Sequence, residues 1–351
     1  MASNTTIKNL GPKIRMVTLK EISAAVGVSP ATVSRVLNFD ATLSVSAQVR
    51  RAIIETAEAM NYETPRNRNR VAPVGLTKLA LVHFLGPEQE LGDPYYVGLR
   101  LGIERRAAAL KIEIIKVYHT DRLPDAGLLQ GADGTIAIGW HDTAEIDYVA
   151  KHSRNLVFAD FSPADQEYDS VEVDLFFATR KILNALTELG YKRIAFVGWE
   201  ERPEIVPRGG LEKRCQAYMD WAGARGLFDQ TLCVTGDKTE ESGHQLTEAL
   251  VASGAKFDAI LTANDNMAVG VYRALHEAGL SIPDDVAVAS FNDISVAQFL
   301  IPPLTTVRLP SEEIGEAAVD LLLQRAGGSD IAKRLVLASQ VIWRKSTRSP
   351  K

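Results

Sequence analysis

Apolar positions recur at helical spacing through the first sixty residues, and beyond residue 77 they gather into short runs. In "TLKEISAAVG" Leu19, Ile22 and Val26 share one face, Thr18 is placed to cap the helix and Gly27 to end it. The turn "GVS" leads into "SPATVSRVLN", where Ser29 suits the N-cap and Pro30 the first helical position. At 100° per residue, Ala31, Ser34, Arg35 and Asn38 fall within about a third of that helix's circumference, with Val33, Val36 and Leu37 opposite. A third stretch, "AQVRRAIIETAEAMNY", puts Val49, Ile53 and Met60 on one stripe. A helix, a three-residue turn containing Gly and a second helix is the helix-turn-helix layout, whose second helix enters a DNA major groove. A three-helix unit used for protein contact is the plainer alternative.

The later runs are "KLALVHFL", "IEIIKVY", "GTIAIGW", "NLVFADF", "RIAFVG", "DAILTAN" and "VAVASFN". Helical stretches fall between most of them, near 95–110, 175–189, 211–225, 241–253 and 266–279. Strands alternating with helices predict an α/β body with parallel sheets, and there are enough strands for two doubly wound subdomains. Ligands of such sheets sit beyond the carboxyl ends of the strands, here in a cleft between the halves.

Composition narrows the class. The 351 residues are 46% hydrophobic and 24% charged, which suits a globular protein of two or three domains. No apolar run approaches the roughly 18 residues of a membrane span, and the first residues lack the apolar core of a secretory signal. Two cysteines, Cys215 and Cys233, have neither metal-type nor redox-type spacing and read as packing residues in a reducing cytoplasm. The net charge of −5 hides an asymmetry. Residues 1–70 hold ten Lys and Arg against five Asp and Glu, and the rest hold 29 against 39. A basic head on an acidic body points to nucleic acid at one end.

Enzyme chemistry finds no support. The six histidines, at 83, 119, 141, 152, 244 and 276, have no HExxH or paired-ligand spacing, so no metal and no cofactor are expected. There is no G-x-S-x-G elbow and no P-loop, and the glycines of "GADGTIAIG" precede a strand instead of opening a helix.

"VTLKEISAAVGVSPATVSRVLN" resembles the signature of the lactose-repressor and galactose-repressor family of bacterial transcription regulators. "TANDNMAVGVYRALHEAGLSIPDDVAVASFNDI" and "PPLTTVRLPSEEIGEAAVDLLL" resemble that family's sensor domain, and the likeness runs from about residue 16 to 346. "NFDATLSVS", "DPYYVGLRLGIE" and "YDSVEVD" are similar to its branch of repressors of galactoside-utilisation operons.

The resemblance implies a leader or mis-called start at 1–15, a helix-turn-helix domain at 16–63, a hinge at 64–76 and a periplasmic-binding-protein-like sensor at 77–346. The sensor would divide into subdomains 77–174 with 306–329, and 175–305 with 330–346. It implies a cytoplasmic, sugar-responsive repressor that binds a pseudo-palindromic operator as a homodimer, with no membrane partner. A solute-binding protein for transport shares the sensor fold but not the head. A non-sugar effector such as a purine is the other alternative. Carried over by position, Pro30, Ala31 and Arg35 face base edges, while Thr18, Leu19, Ser29, Thr32, Ser34 and Asn38 hold phosphates. Arg35 suits guanine O6 and N7, and hydroxyls at a helix start suit phosphate oxygens. In the cleft the matching positions are Asp160, Arg214, Asn264 and Asn292, with Asp93, Tyr95, Tyr96 and Trp140 for the opposite wall. Such groups satisfy sugar hydroxyls, which both donate and accept. Asp160 and Asn264 also suit plain helix caps.

Two departures stand out. The family's hinge wedges a Leu into the minor groove, but "ETPRNRNRVAPVG" has none. Arg66 and Arg68 can enter a narrow groove by charge, or the segment is a solvated linker. Where the family places an aromatic platform for the sugar, this chain has Lys238. Either another aromatic serves, or Lys238 meets an acidic or phosphorylated sugar, or it is a solvated loop lysine.

Overall fold

The computed structural model describes residues 17–37, 43, 45–60, 62, 75–118, 123–164, 167–199 and 212–349. The chain forms two compact units, 1–73 and 74–351. Asn38, the hinge arginines Arg66 and Arg68, and the leader 1–15 lie outside the described residues.

The first unit holds α1 (Leu19–Val26), α2 (Pro30–Leu37) and α3 (Ala47–Ala59). Thr18 and Glu21 form a capping box: the Glu21 N–H donates to Thr18 Oγ1 at 3.4 Å, and the Thr18 N–H to Glu21 Oε2 at 2.7 Å. Gly27, at φ 74°, ends α1 in the left-handed region that favours glycine. Ser29 Oγ accepts from the Thr32 N–H at 3.1 Å, so α2 is capped as its sequence predicts. Ile22, Val33, Val36, Ile53 and Ala57 form a small buried core, flanked by Leu19, Val26, Leu37, Val49 and Met60.

The second unit is built on two six-stranded sheets. The first contains β1 (Lys78–His83), β2 (Glu113–Tyr118), β3 (Gly134–Ile138), β4 (Leu156–Ala159), β5 (Asp169–Val173) and, from far along the chain, β11 (Arg334–Leu337), in the order β11-β5-β4-β3-β1-β2. The second contains β6 (Ile194–Trp199), β7 (Cys233–Gly236), β8 (Ala259–Thr262), β9 (Ala287–Asn292), β10 (Thr305–Arg308) and β12 (Gln340–Ile342), in the order β12-β10-β9-β8-β6-β7. All pairings are parallel except β10 with β12. The central strands are buried along nearly their whole length, which is why they read as continuous apolar runs.

Strand membership shifts the expected subdomain split. β10 belongs to the second sheet and β11 to the first, so the late crossings fall after Arg308 and after Leu337, not at 305/306 and 329/330. Neither strand carries a strong pattern: β10 is "TTVR" and β11 is largely exposed.

The helices of this unit are α4 (Pro87–Leu91), α5 (Pro94–Ala109), α6 (Ala126–Gln130), α7 (Thr143–His152), α8 (Leu175–Glu188), α9 (Lys213–Gly223), α10 (Glu240–Ala252), α11 (Asp265–Glu277) and α12 (Ser311–Ala326). Two helix pairs meet through glycine. A Cβ on Gly102 of α5 would lie 2.1 Å from the Glu312 carbonyl oxygen, and one on Gly315 of α12 would lie 2.2 Å from that of Leu99. In the other subdomain, a Cβ on Gly243 of α10 would lie 2.3 Å from the Met267 oxygen. These backbones approach closely only because no side chain intervenes.

Candidate functional site

Two surfaces carry the predicted residues. In the first unit, α2 turns Val33 and Val36 into the core, which leaves Pro30, Ala31 and Arg35 exposed and Thr32 and Ser34 partly so. Thr18 and Ser29 are exposed beside them, with Leu19 half-buried. The Ser29 and Thr32 hydroxyls lie 2.9 Å apart at the start of α2. Two hydroxyls at a helix N-terminus, next to an exposed guanidinium, make a face suited to phosphate and to a base edge.

In the second unit, a cleft opens where strands of both sheets end. Asp93, Tyr95, Tyr96 and Asp160 line it from the first subdomain, and Trp199, Arg214, Lys238, Asn264 and Asn292 from the second. Leu175 and Leu309 add an apolar edge, and the enclosed volume is about 40 Å³. Eight of the nine predicted effector residues therefore converge.

Asp160 follows β4 at φ 62° and Asn292 ends β9 at φ 107°, both in left-handed backbone uncommon for residues other than glycine. Strain of this kind concentrates where side-chain placement matters. Tyr95 Oη donates to Asp160 Oδ1 at 2.7 Å. Burial pushes the Asp160 carboxyl up to about 6, against the tyrosine hydroxyls and Arg214, which favour its charged form. Burial also holds the Tyr95 and Tyr96 phenols well above their usual range. Asp93 caps α5, accepting from the Tyr95 N–H at 3.1 Å, and its carboxyl is raised by burial.

Arg214, in the first turn of α9, is 7% exposed. Its Nε donates to Glu212 Oε1 at 2.9 Å and its Nη1 to the Ala263 carbonyl at 2.6 Å. The guanidinium lies over Trp199, 4.5 Å from the ring centroid, and 5.6 Å from that of Phe291. Glu212 thus supplies the anionic partner that a buried arginine requires. Asn264 does cap its helix, Oδ1 accepting from the Met267 N–H at 2.8 Å, while Nδ2 points to the Lys238 carbonyl at 3.3 Å. It performs both tasks, cap and cleft wall.

Lys238 is exposed, and its Nζ sits 5.0 Å from the centroid of Phe84, the residue after β1. Phe84 stacks on His83 with centroids 5.6 Å apart, and Tyr96 meets both rings edge-on. His83 is buried and its imidazole lowered to about 4, chiefly by desolvation. Its Nδ1 accepts from the Leu85 N–H at 3.1 Å.

One predicted residue is elsewhere. Trp140 is not among the cleft-lining residues but packs edge-on against Phe161, with centroids 6.4 Å apart. The backbone turns at Gly139, φ 75°, so the residue after β3 does not continue the strand's direction. Trp199 is the aromatic that the sequence reading missed, because "RIAFVG" stops one residue short of it. Among the described residues no group of three or more His, Cys, Asp and Glu is placed to hold a metal. No described helix is long and apolar enough to cross a membrane.

Known proteins match across the chain. The family of bacterial regulatory proteins of the lacI type matches residues 18–65, and a periplasmic binding protein-like domain matches residues 183–347. The HTH-type transcriptional repressor MelR of Bacillus subtilis (strain 168) is 33% identical over 345 residues, spanning 94% of this chain and 97% of MelR. The solved complex of the transcriptional regulator CelR with cellobiose superposes with a TM-score of 0.68 at 26% identity, covering 94% of this chain and 99% of CelR. The lac repressor dimer bound to operator and the anti-inducer ONPF superposes at 0.65 with 25% identity, covering 95% and 100%.

Proposed function

The chain belongs to the lacI family of bacterial regulatory proteins, and from that premise we propose that it is a saccharide-responsive transcription repressor. It binds a pseudo-palindromic operator as a homodimer in the cytoplasm, and a sugar taken into the cleft changes its grip on DNA. It is a binding protein, not an enzyme. Arg35 reads a base edge, Pro30 and Ala31 lie against the groove, and Thr18, Leu19, Ser29, Thr32, Ser34 and Asn38 hold the backbone. Arg66 and Arg68 add charge near the minor groove.

The observation that carries the effector reading is the convergence of Asp160, Arg214, Asn264 and Asn292 on one cleft. Two carboxylates, two cations, two amides and two phenols offer donors and acceptors in balance, which fits the hydroxyls of a neutral saccharide. Lys238 already faces Phe84, and its charge also acts on Asp93. That favours a neutral sugar over an anionic one, with galactosides first by the family branch. Trp199 supplies the aromatic surface that Lys238 does not.

The test is a thermal-shift series on the full chain with melibiose, lactose, cellobiose, glucose 6-phosphate and a purine. A neutral disaccharide should raise Tm, since binding only the native state stabilises it. Arg214→Ala should remove that shift while operator binding persists. A Tm that responds to a purine and to none of the sugars would overturn the effector class.

A further inference from the structure

Cys215 and Cys233 are 18 residues apart in sequence, yet the fold brings their sulfurs to 3.9 Å. Cys215 is in the first turn of α9, 1% exposed and one position beyond Arg214. Cys233 opens β7 and is half-buried. Neither is in a disulfide. A disulfide needs its sulfurs about 2.05 Å apart, so the pair must close by under about 2 Å, within reach of side-chain rotation and a small backbone adjustment. Both elements are well held: the Glu212 carboxylate accepts from the Cys215 N–H at 3.2 Å, and Cys233 pairs with Phe196 in the sheet. Leu232, the neighbour of Cys233, lines a cavity of about 480 Å³ with Tyr218, Phe228 and Arg193, and Cys233 itself is only half-buried.

We propose that Cys215 and Cys233 form a reversible intramolecular disulfide on exposure to a peroxide-class oxidant. The Cys233 thiolate attacks one peroxide oxygen, giving a sulfenic acid and, after protonation, one water. Cys215 Sγ then displaces the sulfenic hydroxyl, which leaves as a second water with the Cys215 proton. Two thiols lose two electrons and two protons, and one peroxide is reduced to two waters. A dithiol restores the pair by exchange. Such transient disulfides are the kind a reducing cytoplasm permits. The bond would tie the first turn of α9, which carries Arg214, to the edge strand β7.

The experiment treats the folded full chain with hydrogen peroxide and follows intact mass, thiol titration and Tm. Expected are loss of both thiols, a mass decrease of two hydrogens, and a rise in Tm of about 5 °C, all reversed by dithiothreitol. Amide exchange across residues 213–216 should slow. Cys233→Ser should leave Cys215 titratable after the same exposure, and Cys215→Ala should leave Cys233 as an oxygen adduct. Two surviving thiols in the wild type, oxygen added without a disulfide, or a bond between chains would each overturn the proposal. None of these readouts depends on which sugar the cleft takes.

Discussion

A carboxyl that burial moves to about 6, as at Asp160, changes charge inside the range in which ligand binding is measured. A saccharide hydroxyl donates to the carboxylate and so favours the ionised form. Affinity for the sugar should therefore rise with pH through about 6 and level off above about 7, as calorimetric titration can measure. Asp160→Asn should flatten that dependence. Stability runs the other way. A carboxyl with a raised folded pKa stabilises the fold fully below its unfolded value and loses that contribution as pH rises through about 6 for Asp160 and about 7 for buried Asp265. His83, lowered to about 4, has the opposite sign: its contribution is present above its unfolded value and lost as pH falls through about 4. On the head, Arg35→Ala should weaken operator binding by about 1–3 kcal/mol and relax preference at one base pair. A binding-site selection that returns the wild-type preference would refute the base contact. Single residues were legible where chemistry is local: Thr18, Gly27, Ser29 and Pro30 act on their own backbone. Asp160 and Arg214 needed the resemblance, because periodicity says nothing about which strand ends meet.

Periodicity finds a helix but not its partner. The pairs α5 with α12 and α10 with α11 are as close as they are because of glycines that the sequence reading passed over. The Gly270 position shows the constraint most strongly, a Cβ there meeting the Glu240 carbonyl oxygen and the His244 nitrogen, both backbone. Gly270→Ala must force α10 and α11 apart, and should destabilise the sensor by about 1–3 kcal/mol or more, read by urea denaturation. Gly223→Ala, with nothing within 4 Å of the new Cβ, is the control and should be nearly neutral. Strands show the same limit from the other side. β1, β3, β6 and β8 are buried on both faces and read as apolar runs, whereas β10, β11 and β12 are only three or four residues long, each with a polar first residue, and escaped notice. Those three late strands are the ones that decide how the subdomains exchange chain.

At the scale of the whole sensor, the cleft is spanned by a few contacts from one subdomain to the other. Lys238 lies over Phe84, Asn266 Nδ2 reaches the Gly92 carbonyl at 3.4 Å, and Lys213 Nζ pairs with Glu172 at 2.7 Å. Enclosing about 40 Å³, the cleft holds little more than a water or two, far less than a sugar ring. A saccharide therefore enters through an opened arrangement, and the bridging contacts set how often it is visited. A cation over an aromatic ring at an exposed site contributes about 0.5–1 kcal/mol. Lys238→Ala should then raise the association rate of a neutral disaccharide about two- to fivefold, with dissociation also faster, as stopped-flow tryptophan fluorescence would register. Lys238→Trp should slow dissociation by giving the sugar a stacking face. An unchanged association rate in Lys238→Ala would remove the bridge from the closure equilibrium. A tenfold loss of affinity confined to glucose 6-phosphate would instead make Lys238 a direct contact for an anionic sugar. A ligand that prefers one closure of the cleft over the other shifts that equilibrium only by its difference in affinity, and a repressor's response to it is bounded by that difference. A Lys238 variant that changes how readily the cleft opens should therefore change the sugar concentration that gives the half-maximal change in operator binding in proportion to the change in affinity.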